Sequence, residues 1–347
     1  MDFYLTRHQY YCGVDLHARM LYVCILDASG KTLRHRKIPA DPQRFLAFVG
    51  PYREDLVVGA ECVFCWYWLA DLCEDNGIPF VLGHALYMKA IHGGKAKNDR
   101  IDSRKIAHLL LGCMFPLAYV YPRGMRAARD LLRRRMYFVR HRAEMMAHIK
   151  NTASQYNLPE VGGRLDRPGR WEEVSEHFPE GPVRESVQAN LATIEHLSGV
   201  IAHLEWYIEK ATRDIRYRDL SLLRSIHGVG LVLALTIVHE IDTIDRFPRV
   251  QEFLSYSRLV ACAHESAGKK KGTGGRKIGN AHLKAAFSQA ACLLLRDKPQ
   301  AKRLVARLEK KHGKGKAMSI LARRIATAVY FMLKRREPFD EARFFAA

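Results

Sequence analysis

Apolar and polar positions change their rhythm along this chain, and the change predicts its elements. Residues 11–15, 21–26 and 32–38 are short apolar runs rich in β-branched and aromatic side chains, with the turn Ala28-Ser29-Gly30-Lys31 between the last two. They predict three strands joined by short connections. Residues 43–49, after Pro42, carry helical spacing; 56–61 (LVVGAE) reads as a strand; 65–76 reads as a helix stopped at Gly77. A strand at 78–82 and a helix at 99–112 follow. Short turns imply antiparallel neighbours and helical crossovers imply parallel ones, so residues 10–122 predict a mixed α/β sheet.

The rest of the chain reads as helix. Leu132, Met136, Val139, Ala143 and Met146 repeat with 4–3 spacing inside one long helix over 124–157. Residues 158–182 are dense in Pro and Gly and predict a loop or crossover. Val187, Asn190, Ile194, Leu197, Ile201, Leu204, Ile208, Ala211 and Ile215 then occupy a and d heptad positions, a coiled-coil pattern with Asn190 as a register-setting polar residue. Such a seam packs either within its own chain or on a second copy. Residues 218–347 are mostly helical, with apolar helices beginning near 230, 282 and 317. Residues 264–280, HESAGKKKGTGGRKIGN, are too glycine-rich for a regular helix. Three domains are expected: 1–122, 123–217 with a crossover at 158–182, and 218–347.

Charge sharpens the reading. The 347 residues are 48% hydrophobic and carry a formal net charge of +20, which calls for an anionic partner. Nucleic acid is the first candidate, because lysines and arginines that neutralise phosphates release counterions. A membrane surface is the rival. The charge sits in two stretches: 123–150 has nine Lys/Arg against two acids, and 264–316 has fifteen against three. Between them, 151–215 is mildly acidic. Two separated basic stretches favour a nucleic-acid track over one amphipathic membrane anchor. There is no apolar run of 18 residues and no signal-peptide core, and the eight cysteines form no disulfide framework, so a cytoplasmic, nucleoid-associated protein is expected. Cys62 and Cys65 form a lone CxxC without the second pair a zinc site wants.

Candidate chemistry begins at strand ends. The predicted order is the ribonuclease H-like arrangement, in which the first and fourth strands are neighbours. Asp15 ends CGVD, Glu61 ends LVVGAE, and Asp99 and Asp102 share one helix face three residues apart in KNDRIDSRKIA. Gathered acids raise one another's pKa, and two Mg²⁺ ions about 3.5–4 Å apart relieve this while activating a nucleophile at a phosphodiester. Mn²⁺ is an alternative. Lys95, Lys97, Arg100 and Arg104 add positive charge beside the helix acids. Taken singly, an Asp at a strand end is as readily a turn residue or a helix cap. Actin-like kinases share the opening strand and Asp, but Leu16-His17-Ala18-Arg19 lacks their phosphate-loop glycine.

In the C-terminal half, His227-Gly228-Val229-Gly230 before an apolar helix has the form of a helix-hairpin-helix loop, with Gly228 and Gly230 letting backbone approach a phosphate. A tight helix–helix connection reads the same way. Ser266 stands beside Lys269, Lys270 and Lys271, with Arg276 and Lys277 following. A serine attacking phosphorus needs such cations or a base, although a loop serine is often only a turn residue. Arg133, Arg134 and Arg135 are further phosphate candidates.

The motifs GVD (13–15), AE (60–61), KNDRIDSRKIA (97–107), HGVG (227–230) and ESAGKKKG (265–272), in this order, resemble the DEDD-type transposases of the insertion-sequence-110 family, which includes Piv-like invertases and bridge-RNA-guided recombinases. The resemblance implies a RuvC-like domain binding Mg²⁺ through Asp15, Glu61, Asp99 and Asp102, and Ser266 as a nucleophile forming a phosphoserine link to DNA. It further implies donor and target DNA, a structured guide RNA, and dimers that pair into a tetramer. The family reads Ser-Gly where this chain reads Ser266-Ala267-Gly268, which leaves Ser255, Ser257 and Thr273 as other hydroxyls; Ser103 and Cys62-Val63 also depart from its pattern. A RuvC-like nuclease using activated water needs the same acids without the serine. A nucleic-acid-binding scaffold needs neither.

Overall fold

A computed structural model describes residues 2–346 apart from 93–97, 160, 162–164, 166–170, 213–216, 261, 267–268 and 275–277; for 90–92, 172, 217, 262–266 and 269–274 it describes the backbone alone. The chain divides into two compact units, Met1–Gly124 and Met125–Ala347.

The first unit contains β1 (Tyr10–Leu16), β2 (Met20–Asp27), β3 (Thr32–Pro39), α1 (Pro42–Val49), β4 (Leu56–Glu61), α2 (Tyr67–Asp75), β5 (Phe80–Gly83), α3 (Ala85–His92), α4 (Asp99–Leu111) and β6 (Leu117–Ala118). The six strands lie in the order β3-β2-β1-β4-β5-β6. β1 is antiparallel to β2 and parallel to β4, as the connection lengths predict. β6 adds an antiparallel edge to β5; two residues are too few to leave a periodic signal. The sheet is buried on both faces. Val14, Val23 and Val58 pack with Phe45 of α1 and Leu69 of α2, while Tyr11, Leu26 and Val57 pack with Ile106 and Leu110 of α4. A central strand buried on both sides reads as a nearly continuous apolar run, which is why YYCGVDL shows little alternation.

The second unit opens with α5 (Arg123–Gln155), which begins at the boundary, then α6 (Trp171–Glu176) and α7 (Pro182–Ala211). α5 and α7 run antiparallel: His148 meets Asn190 at 2.9 Å, Arg142 reaches Ser198 at 3.2 Å and Arg135 reaches Glu205 at 2.9 Å. The heptad residues Val187, Ile194, Ile201 and Ile208 are buried within the chain, and Asn190 sets the register against α5. Leu197 and Leu204 of the same seam are half-buried and Ala211 is exposed. The Pro/Gly-rich crossover is also more than a loop, since Val161, Leu165, Val174 and Phe178 are buried against the two long helices.

α8 (Tyr217–Arg224), α9 (Leu231–Ile241), α10 (Val250–Tyr256), β7 (Cys262–Ser266), β8 (Lys269–Gly274), α11 (Ala281–Asp297), α12 (Pro299–His312), α13 (Lys314–Arg335) and α14 (Glu341–Ala346) complete the unit. Leu132 of α5 and Ile208 of α7 share one core with Leu235, Phe253, Phe287 and Ile325. The boundary expected at 217/218 is thus not a boundary of the core. Among the described residues no helix is long and apolar enough to cross a membrane.

Candidate active site

Two acids take their places from strand register. β1 and β4 pair in parallel up to Val14 and Ala60; Asp15 and Glu61 are the next residue in each strand. Parallel neighbours present equivalent positions side by side, so the two carboxylates belong to one sheet edge.

The other two acids arrive on α4, which lies across β1 at Gly13. A β-carbon there would stand 2.1 Å from the Ser103 carbonyl oxygen and 2.4 Å from the Ala107 nitrogen. Only glycine lets the helix come this close, two residues before Asp15. Asn98 caps α4, its side chain accepting the Arg100 N–H at 3.0 Å. Asp99 is therefore not the cap, and it stands in the first turn with Asp102. Ser103 is fully buried; its hydroxyl donates to the Arg100 carbonyl at 3.1 Å and lies 3.0 Å from His35 Nε2 of β3. The departure from alanine at this position thus ties α4 to the sheet. Arg100 and Arg104 are exposed, and Lys95 and Lys97 lie outside the described residues.

His17 completes the group and escaped the sequence reading. Its Nε2 lies 3.3 Å from Asp15 Oδ2 and 3.6 Å from Asp99 Oδ2. Ligand atoms of Asp15, His17 and Asp99 all fall within 4.8 Å of one another. The available signal was the Asp-x-His spacing at a strand end, which is weak alone. Burial, with repulsion from Asp99 and Asp102, raises the Asp15 carboxyl to about 6 against the pull of His17. Asp102 also pairs with Lys105 at 3.4 Å. Hard carboxylate oxygens and one imidazole, destabilised by mutual repulsion, are a donor set that a divalent cation fits. The CxxC is not such a set: Cys62 is exposed, and the Cys65 thiol donates to the Leu16 carbonyl at 3.8 Å.

Ser266 lies on a β-hairpin, where the sequence pointed only to a non-helical loop. β7 and β8 are antiparallel, and Ser266, the last residue of β7, pairs with Lys269, the first of β8. Lys270 and Lys271 follow in β8, while Arg276 and Lys277 lie outside the described residues. Thr273 pairs with Ala263. Ser257 is fully buried at the end of α10 and so is no candidate nucleophile, whereas Ser255 is exposed.

The remaining phosphate candidates divide. Arg133 binds Glu240 through Nε at 2.6 Å and Nη2 at 2.9 Å, and Arg135 binds Glu205. Both guanidiniums are paired with carboxylates of their own unit and remain partly exposed. Arg134 is exposed, stacked over Tyr137 at 5.4 Å. Gly228 has φ +85, and a β-carbon there would meet the Leu293 β-carbon at 2.8 Å. Its backbone approaches α11, so the close contact it permits is helix packing. Gly230 is exposed, with open space around it at the start of α9.

A mixed sheet with Asp15 and Glu61 at neighbouring parallel strand ends and Asp99 beside Asp15 suits metal-assisted cleavage of a phosphodiester, the chemistry of DNA transposases, enzymes that cut and transfer DNA strands. Comparison with known families agrees. Residues 12–158 match the DEDD-type IS110 domain described as "Transposase", and residues 220–306 match "Transposase IS116/IS110/IS902 family". The chain belongs to the IS110 family of transposases. It is similar to the transposase for insertion sequence element IS1111A of Coxiella burnetii (strain RSA 493 / Nine Mile phase I), 24% identical over 345 residues, covering 94% of this chain and 90% of that one. It is also similar to y4qE of Sinorhizobium fredii (strain NBRC 101917 / NGR234), a protein named as a transposase: 24% identical over 248 residues, 70% of this chain and 60% of that one.

Proposed function

We propose that this transposase is a site-specific recombinase working through a phosphoserine link, with Asp15, Glu61, Asp99 and Asp102 holding two Mg²⁺ ions, or Mn²⁺ in their place. The observation that carries the reading is the meeting of Asp15, His17 and Asp99 within 4.8 Å. Bound there, the metal would supply charge stabilisation at a phosphodiester. The chain's own groups do the rest. Ser266 Oγ gives up its proton and forms a bond to phosphorus, one bridging P–O bond breaks, and the departing oxygen takes up a proton, so the step is proton-neutral. Lys269, Lys270, Lys271, Arg276 and Lys277 offset the charge on the phosphoryl oxygens. The lysine-rich sequence around Ser266 supports this assignment.

The net charge of +20 and the family resemblance support donor and target DNA together with a structured guide RNA as partners. Arg134, Gly228 and Gly230 remain candidates for nucleic-acid contact, and dimers pairing into a tetramer are the expected assembly, with acids and serine coming from different subunits.

Incubation with element-end DNA, denaturation and electrophoresis tests the proposal. Wild type is expected to give a protein–DNA adduct that Ser266→Ala lacks while still binding DNA. Free cut ends without any adduct would instead identify a nuclease using water. Neither adduct nor cut ends from wild type, with DNA binding unchanged in Ser266→Ala and Asp15→Asn, would leave a binding scaffold.

A further inference from the structure

α9 is apolar throughout its length except near its end, where Glu240 is 2% exposed. Among the described residues, four hydrogen bonds converge on this carboxylate. Oε2 accepts from Arg129 Nε at 3.0 Å, from Arg133 Nη2 at 2.9 Å and from Asn280 Nδ2 at 2.7 Å; Oε1 accepts from Arg133 Nε at 2.6 Å. A buried ion group stabilises little compared with well-packed apolar side chains. What it adds is direction, since each hydrogen bond fixes an angle as well as a distance.

Asn280 is where the chain returning from the hairpin joins the helical core. Its Oδ1 caps α11 by accepting from the His282 and Leu283 N–H groups at 2.9 and 3.0 Å. Its own N–H donates to the Tyr256 carbonyl at 2.5 Å. Beside it, Gly279 has φ +95, and a β-carbon there would stand 2.5 Å from the Tyr256 oxygen. Arg258 Nε, on the incoming side of the hairpin, donates to the Gly279 carbonyl at 2.8 Å. The segment Gly279-Asn280, which follows the hairpin in sequence, is thus fastened to α10, and Glu240 fastens it to α9 and α5.

We propose that Glu240 is a positioning residue: by holding Asn280 against Arg129 and Arg133, it sets where the hairpin bearing Ser266 leaves the helical core. This rests on Ser266 being the nucleophile. Chemistry is sensitive to such placement, because a shift of about 1 Å in a reacting group costs on the order of 100-fold in rate.

Asn280→Asp tests the inference in the full chain. A carboxylate still caps α11 but has no N–H for Glu240. Expected are an adduct-formation rate per folded molecule lowered by about 100-fold, DNA affinity close to wild type, faster hydrogen exchange in residues 262–274, and a lowered thermal midpoint, because two buried carboxylates then face each other. The pair Glu240→Gln with Asn280→Asp exchanges amide and acid across the bond and is expected to restore both rate and protection. Should Asn280→Asp not fold, Asn280→Ser, which caps without an amide, takes its place with the same readouts.

A normal adduct rate and normal hairpin protection in the single variant overturn the inference, as does a lowered thermal midpoint with an unchanged rate per folded molecule. Ser266→Ala, run in parallel, separates the two ideas. An adduct that persists there refutes the nucleophile, while hairpin protection still decides whether Glu240 anchors the hairpin.

Discussion

Gly13 and Ser103 lie back to back: a β-carbon on Gly13 would stand 2.1 Å from the Ser103 carbonyl oxygen. That contact seats α4 on β1 and carries Asp99 to Asp15. Gly13→Ala must lift the helix, and the backbone atoms it meets cannot turn away as a side chain would. Overpacking of this kind costs about 1–3 kcal/mol. We expect a lower denaturant midpoint and loss of DNA cleavage, with DNA affinity largely kept. Full cleavage by Gly13→Ala would show that α4 need not sit so close.

Asp15, His17 and Asp99 should link metal binding to stability. A ligand at 100 times its Kd stabilises the folded state by about 2.7 kcal/mol. Mg²⁺ or Mn²⁺ is therefore expected to raise the melting temperature of wild type and leave that of Asp15→Asn unchanged. Differential scanning fluorimetry decides this; an equal rise in both proteins would place the ion elsewhere.

His17→Ala should discriminate between ions. Imidazole suits transition metals better than Mg²⁺, so loss of a nitrogen donor is expected to weaken Mn²⁺ binding by about tenfold or more and Mg²⁺ binding less. Titration calorimetry measures both. The nitrogen hyperfine coupling of bound Mn²⁺ should also vanish in the variant; if wild type lacks that coupling, His17 is not a ligand.

The Glu240 group sets an acid limit on the second unit. Burial raises the Glu240 carboxyl, but the Arg133 hydrogen bond with the charges of Arg129 and Arg133 outweighs it and leaves the group lowered to about 2 from 4.5. A carboxylate lowered in the folded state contributes stability above its unfolded pKa, lost as pH falls from about 4.5 to about 2. Next to it, burial and then Arg133 lower His282 to about 4 from 6.5. The unfolded chain takes up that proton first, so this contribution is lost between pH about 6.5 and about 4. Stability should therefore decline in two overlapping steps on acidification. Glu240→Ala, which takes the buried carboxylate from Arg129 and Arg133, should cost about 3–5 kcal/mol at neutral pH and remove the lower step. Urea denaturation across pH 2–7 follows both, and an unaltered lower step in the variant would contradict the assignment.

The order of the first five strands and the long helices were legible in the sequence, because each depends on local chemistry. Period-two runs, caps and glycine stops act over a few residues, and connection length sets whether strands run parallel. Asp15 and Glu61 could be placed side by side from that alone. Other features depended on which surfaces meet. Heptad spacing in α7 marks an apolar seam without naming its partner, and the fold supplies α5. Lysine and arginine counts show charge but not its neighbours, so Arg133 and Arg135 turned out to be paired with Glu240 and Glu205. His17 joins the acids, and Asn280 meets Glu240, across separations of 82 and 40 residues. No local pattern records such contacts; they exist only because packing a helix on a sheet, or a hairpin on a bundle, brings distant side chains within a few ångströms.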